Sequence, residues 1–304
     1  MVDLSVTVGD LSLRNPVILA SGTCGFGREL SEYVDFSKIG GISSKGLTLL
    51  PREGNEGCRV AETPSGMLNS VGLQNPGVES FLKTELDFMH SLGTRVIVNA
   101  AGHCSEDYVR LVEILGEEKR IDALELNLSC PNVREGGMTI GTDPKQVFSL
   151  VTHLRRVTSK ALWIKLTPNV TDIAEIAVAA ENAGADAIVL INTLLGMKID
   201  VKTRRPLLQN NTGGLSGPAI RPVAVQMTAR CYRAVRIPII GLGGICTAHD
   251  ILEFMIAGAS AVQVGTASLI HPGIGEKLVG DLKQWMEEES MDRLADITGT
   301  LQYW

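Results

Sequence analysis

Two lysines stand where a lysine is costly. Lys45 and Lys165 lie in short apolar runs, GISSKGLT (41–48) and LWIKLTP (162–168). A buried ammonium without a counter-charge costs several kcal/mol or gives up its proton. Both lysines therefore imply an anionic or electron-rich ligand, or an internal partner such as Glu125. Ser21, Asn99, Asn127, Ser129, Asn192 and Thr193 stand at the ends of similar runs. Their hydroxyls and amides donate and accept hydrogen bonds without charge. Cys130 follows directly in Asn127-Leu-Ser-Cys-Pro-Asn132. A cysteine is most often a small buried hydrophobe, and the other five (24, 58, 104, 231 and 246) are read that way. Cys130 differs because it abuts the polar set and opens Arg134-Glu-Gly-Gly-Met, a segment able to swing a base over a substrate. A thiol of ordinary pKa, about 8.5, would serve as a base better in alkali. Two glycine-rich run ends, GLGGI (241–245) and VGTAS (264–268), precede helical stretches and suggest a phosphate seat. Gly273-Ile-Gly275 has Leu278 where a dinucleotide fingerprint needs its third glycine. His90, His153 and His249 fall in helical stretches and read as surface. His103 and His271, near run ends, read as more readily structural than functional, and Arg204-Arg205 as a solvated loop tip.

These residues need a scaffold that brings distant run ends together. Eight runs are rich in β-branched residues and leucine, as buried parallel strands should be: 16–21, 41–48, 95–101, 123–130, 162–168, 187–193, 237–245 and 261–267. In ALELNLSC the leucines 124, 126 and 128 share one face, and Glu125, Asn127 and Ser129 the other. In LWIKL, Ile164 and Leu166 point outward, with Trp163 and Lys165 inward. Helical periods appear at Val147, Leu150, Val151, Leu154 and Val157, at Ile173, Ile176, Ala177 and Ala180, and at Ile251, Phe254 and Met255. Start signals stand at 142–144 (TDP) and 169–172 (NVTD). Eight alternating strands and helices predict one (β/α)8 TIM barrel spanning 1–304 as a single domain. The segment 6–13, with its Gly-Asp turn, predicts an N-terminal β-hairpin plugging the barrel bottom. Segments 49–76, 131–143 and 194–218 read as inserted loops at the C-terminal face, serving as lids or substrate walls.

Lys plus Arg is 28 and Asp plus Glu 34 in 304 residues, a net charge of −6, which opposes a nucleic-acid partner. No apolar run approaches the roughly 18 residues of a membrane span. The N-terminus does not read as a secretory signal, and no CxxC pair announces zinc or a cluster. The expectation is a reduced, cytoplasmic protein without a bound metal.

The motifs SKG (44–46), NSVGLQNPG (69–77), NLSCPN (127–132), IKLTPN (164–169) and GGLSGPA (213–219) resemble those of class 1 dihydroorotate dehydrogenases, over essentially the whole chain. The resemblance implies an FMN-dependent barrel of pyrimidine biosynthesis. FMN would contact Ser21, Lys45, Gly46, Asn99, Asn127, Lys165, Ile191, Gly217, Gly243, Gly244, Gly265 and Thr266. Dihydroorotate would contact Lys45, Asn69, Ser70, Val71, Gly72, Leu73, Asn127, Asn132, Asn192 and Thr193. Cys130 would take the C5 proton while hydride leaves C6 for FMN, with Lys165 holding negative charge at the flavin's N1/O2 edge. GLQNPG (72–77) and NTLLGM (192–197) resemble the NAD-linked class 1B, whose catalytic subunit pairs with a subunit carrying FAD and a 2Fe–2S cluster, two of each per heterotetramer around a homodimer core. The fumarate-using class 1A is the near alternative. The membrane-bound class 2 would bring an N-terminal extension and a serine base. Ser70 and Ile140 depart from the pattern, where a small apolar and an aromatic residue are expected. A flavin reductase for another pyrimidine, tRNA dihydrouridine included, and a non-catalytic phosphate-binding or scaffolding barrel are the rival readings. A flavin spectrum separates the last from the others.

Overall fold

The computed structural model describes residues 2–129, 134–135 and 138–304. Eight parallel strands close into a barrel: β1 (Val17–Leu19), β2 (Gly41–Ser43), β3 (Arg95–Ala100), β4 (Ala123–Asn127), β5 (Ala161–Lys165), β6 (Ala187–Leu190), β7 (Ile239–Leu242) and β8 (Ala259–Val264). They pair in chain order, and β8 returns to β1. Each predicted run supplies one strand. The strands stop short of the predicted C-terminal limits, β1 at Leu19, β2 at Ser43 and β6 at Leu190, which leaves Ser21, Lys45 and Asn192 just beyond them. The predicted parity holds where it can be read: Glu125 and Lys165 meet inside the barrel, and Leu124, Leu126 and Ile164 are buried beneath the helices.

The helices follow from capping and apolar stripes. They are α1 (Val78–Thr84), α2 (Leu86–Ser91), α3 (Ser105–Gly116), α4 (Pro144–Val157), α5 (Ile173–Asn182), α6 (Arg221–Tyr232), α7 (Ala248–Ile256), α8 (Thr266–Ile270) and α9 (Ile274–Glu288). Asp143 accepts from the Lys145 N–H ahead of Pro144, and Asp172 from the Ala174 N–H, so both predicted starts are capped by side chains. Thr247 and Asp250 form a reciprocal capping box on α7. Val147, Leu150, Val151 and Leu154 are buried along α4.

The N-terminal hairpin pairs Val6–Val8 with Leu11–Leu13. Arg95, at the first residue of β3, donates from Nε to the Ser12 carbonyl at 3.0 Å, which ties the hairpin to the strands' N-terminal ends.

At the opposite face, two of the three predicted loops carry more order than their composition suggests. Val60–Thr63, Gly66–Asn69, Gly213–Ser216 and Leu194–Gly196 form a four-stranded antiparallel sheet across the mouth. Ala61, Leu68 and Leu208 make a small core beneath it. Its glycines allow a close approach: a Cβ on Gly214 would collide with the Thr193 side chain. Ile199–Asp200 and Arg205–Pro206 pair as a short hairpin, so the Arg204-Arg205 tip is ordered while its arginines stay exposed.

Candidate active site

The strand C-termini surround a cleft of about 740 Å³, within the roughly 300–1,000 Å³ of small-molecule sites. Its floor is a polar layer inside the barrel, centred on the fully buried Glu125 of β4. Glu125 Oε1 accepts from Asn99 Nδ2 (2.6 Å), Ser43 Oγ (3.2 Å) and Lys165 Nζ (3.2 Å). Its Oε2 accepts from Gln263 Nε2. Lys165 also donates to Gln263 Oε1 at 3.4 Å. The internal partner is thus real for Lys165, which nevertheless lines the cleft. One lysine is answered inside the barrel, and the other is not.

Lys45 follows β2 at the rim. No carboxylate lies within ion-pair distance of it among the described residues. Burial pulls its pKa below the ordinary lysine value. Cys24, its buried neighbour, donates to the carbonyls of Ala20 and Ser43 at 3.3 Å, and burial pushes its thiol up to about 12.

Asn127 and Asn192 bridge the floor across β5: Asn192 Nδ2 donates to Asn127 Oδ1 at 3.2 Å, and the Ser129 N–H donates to the same oxygen at 3.1 Å. With Oδ1 used twice, the Asn127 amide N–H2 is left for the cleft. One wall is the segment 69–73, held from behind by Asn55, which donates from Nδ2 to the Ser70 carbonyl (2.9 Å) and from its N–H to Val71 (2.9 Å). The other wall carries the two glycine-rich turns. Gly243 and Gly244 have φ of 139° and 76°, and a Cβ on Gly244 would meet the Gly217 carbonyl at 2.7 Å. Gly265 precedes α8, and Thr266 Oγ1 bonds Ser216 Oγ of the mouth sheet at 2.8 Å.

All the described residues that the sequence nominated line this one cleft: Ser21, Lys45, Gly46, Asn69, Ser70, Val71, Gly72, Leu73, Asn99, Asn127, Lys165, Ile191, Asn192, Thr193, Gly217, Gly243, Gly244, Gly265 and Thr266. Cys130 and Asn132 lie outside the described residues. Sequence reasoning missed Arg52, Asn55, Met67, Thr167, Asn169 and Leu195, which line it too. Thr167 and Asn169 continue the odd-numbered series of Lys165, a signal that could have found them.

Two smaller expectations fare unevenly. Cys231 is buried, with its thiol raised to about 12, and Cys104 and Cys246 are half-buried. Cys58 is exposed, contrary to its reading as a buried hydrophobe, because it sits in the Gly-rich approach to the mouth sheet. The five histidines are exposed, His103 lying against Arg52 at the cleft edge. The Ser70 hydroxyl is buried without a partner among the described residues, which accords with a position suited to a small apolar side chain. No cluster of metal-ligating side chains occurs among the described residues, and no helix among them is long and apolar enough to cross a membrane.

A closed β/α barrel with inward lysines and glycine-rich turns at its C-terminal mouth has the layout of a barrel enzyme for a polar, anionic ligand. The family model for dihydroorotate dehydrogenase matches residues 3–286. The chain belongs to the dihydroorotate dehydrogenase family. It is 51% identical over 300 residues to the dihydroorotate dehydrogenase B (NAD(+)) catalytic subunit of Pelobacter propionicus, covering 99% of each chain. It is 49% identical over 302 residues to the protein of that name from Bacteroides thetaiotaomicron, covering 99% of this chain and all of that one. Among solved structures, dihydroorotate dehydrogenase from Eimeria tenella in complex with ferulenol superposes with a TM-score of 0.80 at 22% identity, covering 98% of this chain and 88% of that one, a likeness of fold.

Proposed function

We propose that this chain is the FMN-binding catalytic subunit of an NAD-linked dihydroorotate dehydrogenase, oxidising dihydroorotate to orotate in pyrimidine synthesis. The observation that carries the reading is the convergence of Lys45, Lys165, Asn99 and Asn127 on one cleft, in a chain half-identical to catalytic subunits of that name. The residues present fit FMN. Asn99 Oδ1 and Ser129 Oγ are buried at the floor without partners among the described residues. Lys165 offers a cation beside them, and the glycine turns at 243–244 and 265–266 leave room for a phosphate against backbone N–H groups. Ser21, Lys45, Gly46, Asn99, Asn127, Lys165, Ile191, Gly217, Gly243, Gly244, Gly265 and Thr266 would hold the cofactor.

FMN, when bound, supplies the two-electron acceptor for the substrate hydride. The chain's own residues do the rest. Lys45, Asn127, Asn132, Asn192, Thr193 and the wall 69–73 orient the substrate, its carboxylate opposite Lys45 and its ring amides opposite the asparagines. Cys130 removes the C5 proton. The mouth sheet keeps water from the reacting carbon. The electrons then leave toward a partner subunit carrying FAD and a 2Fe–2S cluster. A cytoplasmic setting and a homodimer core of a heterotetramer complete the proposal.

The test is anaerobic mixing of the yellow protein with dihydroorotate. Wild type should bleach rapidly. Cys130→Ala should bind orotate but bleach at least about 100-fold more slowly near neutral pH, the low end of what a positioned base contributes. Near-normal bleaching of the variant would remove Cys130 from the role of base.

A further inference from the structure

The polar layer beneath the cleft contains a charge that the reaction does not touch. Glu125 is fully buried, and its two oxygens receive four side-chain donors from β2, β3, β5 and β8. A carboxylate only accepts. It therefore dictates how each neighbour is turned. Asn99 must give it Nδ2, which leaves Oδ1, buried and unpartnered among the described residues, as an acceptor for a ligand. Gln263 must give it Nε2, which leaves Oε1 to receive Lys165. Lys165 spends two N–H groups on Glu125 and Gln263 and keeps a third for the cleft.

We propose that Glu125 is a positioning residue for the cofactor floor: through Lys165 and Asn99 it presents one fixed cation and one fixed acceptor to the bound flavin. A buried ammonium without a counter-charge beside it is costly. The titratable groups that face Lys165 are Glu125 on β4 and the Cys24 thiol after β1, whose pKa burial pushes up to about 12. Gln263 on β8 and Asn127 on β4 are neutral amides. Glu125 is thus the one carboxylate in contact with Lys165 among the described residues.

The inference rests on the flavin reading, and its test separates the two. Protein stripped of flavin is titrated with FMN, and binding is followed by quenching of flavin fluorescence. Glu125→Gln should bind at least about tenfold more weakly than wild type, because Lys165 and Asn99 lose the acceptor that orients them. Glu125→Asp, which keeps the charge, should recover most of that affinity. Lys165→Met should bind weakly and leave a smaller further loss to Glu125→Gln in the double variant. No loss in Glu125→Gln, or an undiminished loss in the Lys165→Met background, would reduce Glu125 to packing and overturn the proposal. Should Glu125→Gln not fold, Asn99→Leu removes the acceptor that Glu125 orients: binding about tenfold weaker supports the proposal, and unchanged binding overturns it. Failure of wild type to bind FMN would instead sink the flavin reading.

Discussion

The two lysines behave differently because one has a carboxylate beneath it and the other does not. Lys165 is paired inside the barrel, whereas Lys45 has its proton affinity reduced chiefly by burial. In the unfolded chain Lys45 returns to the ordinary 10.5 and binds its proton more tightly than in the fold. Between the lowered native value and 10.5 the unfolded state therefore holds more protons, and stability rises with pH. The penalty is whole below the native pKa and is gone once pH exceeds the unfolded one. Urea unfolding of flavin-free protein should show wild type gaining on Lys45→Met as pH climbs from neutrality toward that value. An equal gap between the two proteins at every pH would mean that Lys45 is solvated in the fold. A bound carboxylate reverses the effect, so orotate binding should take up protons in alkaline buffer. The sequence made Lys45 and Lys165 legible as a pair, since both interrupt apolar runs. It could not say which was answered, because Glu125 meets Lys165 only when β4 and β5 pair across 40 positions.

The elements that shape the mouth are held by few side chains, and Asn75 is the clearest. Its Oδ1 accepts from the Thr48 and Gly77 N–H groups at 3.2 and 2.9 Å, and its Nδ2 donates to the Leu73 carbonyl and Thr48 Oγ1 at 2.7 and 2.9 Å. One buried amide thus fastens the wall 69–73 to Thr48 in the segment that follows β2. Asn75→Ala would strand several buried polar groups and should cost about 2–3 kcal/mol. The wall should loosen more than the barrel. Hydrogen exchange across 70–77 should accelerate, and KM for dihydroorotate should rise about tenfold with kcat less affected. A unchanged KM with the stability loss intact would show that the wall is not a substrate contact. Asn75 stands inside the NSVGLQNPG motif, so its presence was visible while its work was not. The mouth sheet escaped sequence reading for a related reason. Its central pairing joins Gly66–Asn69 to Gly213–Ser216 across 145 positions, Asn69 with Gly214, so no local pattern marks it, although Val60–Thr63 pairs with Gly66–Asn69 across the short turn at Pro64-Ser65.

At the scale of the molecule, the barrel was legible because it is written in local terms. The alternation through Leu124–Asn127 and the capped starts at Asp143 and Asp172 needed no distant partner. The same architecture separates stability from chemistry along the barrel axis. Trp163 shares the inward face of β5 with Lys165 but stands two residues nearer the bottom, where it is fully buried. It fills the interior and is not among the residues that line the cleft. Trp163→Ala should therefore cost about 3–5 kcal/mol through lost burial and an unfilled cavity. For a chain of this length that corresponds to a fall in Tm on the order of 5–15 °C. The indole N–H has no partner among the described residues, so no hydrogen bond adds to the loss, and Trp163→Phe should recover most of the stability. In both variants the flavin content per folded chain and the rate of bleaching by dihydroorotate should stay within about twofold of wild type below the new Tm, because the indole is not among the side chains that line the cleft. Thermal unfolding followed beside flavin absorbance checks both halves at once. Loss of flavin at temperatures where the fold persists would show that the lower barrel layer sets the geometry of the upper one.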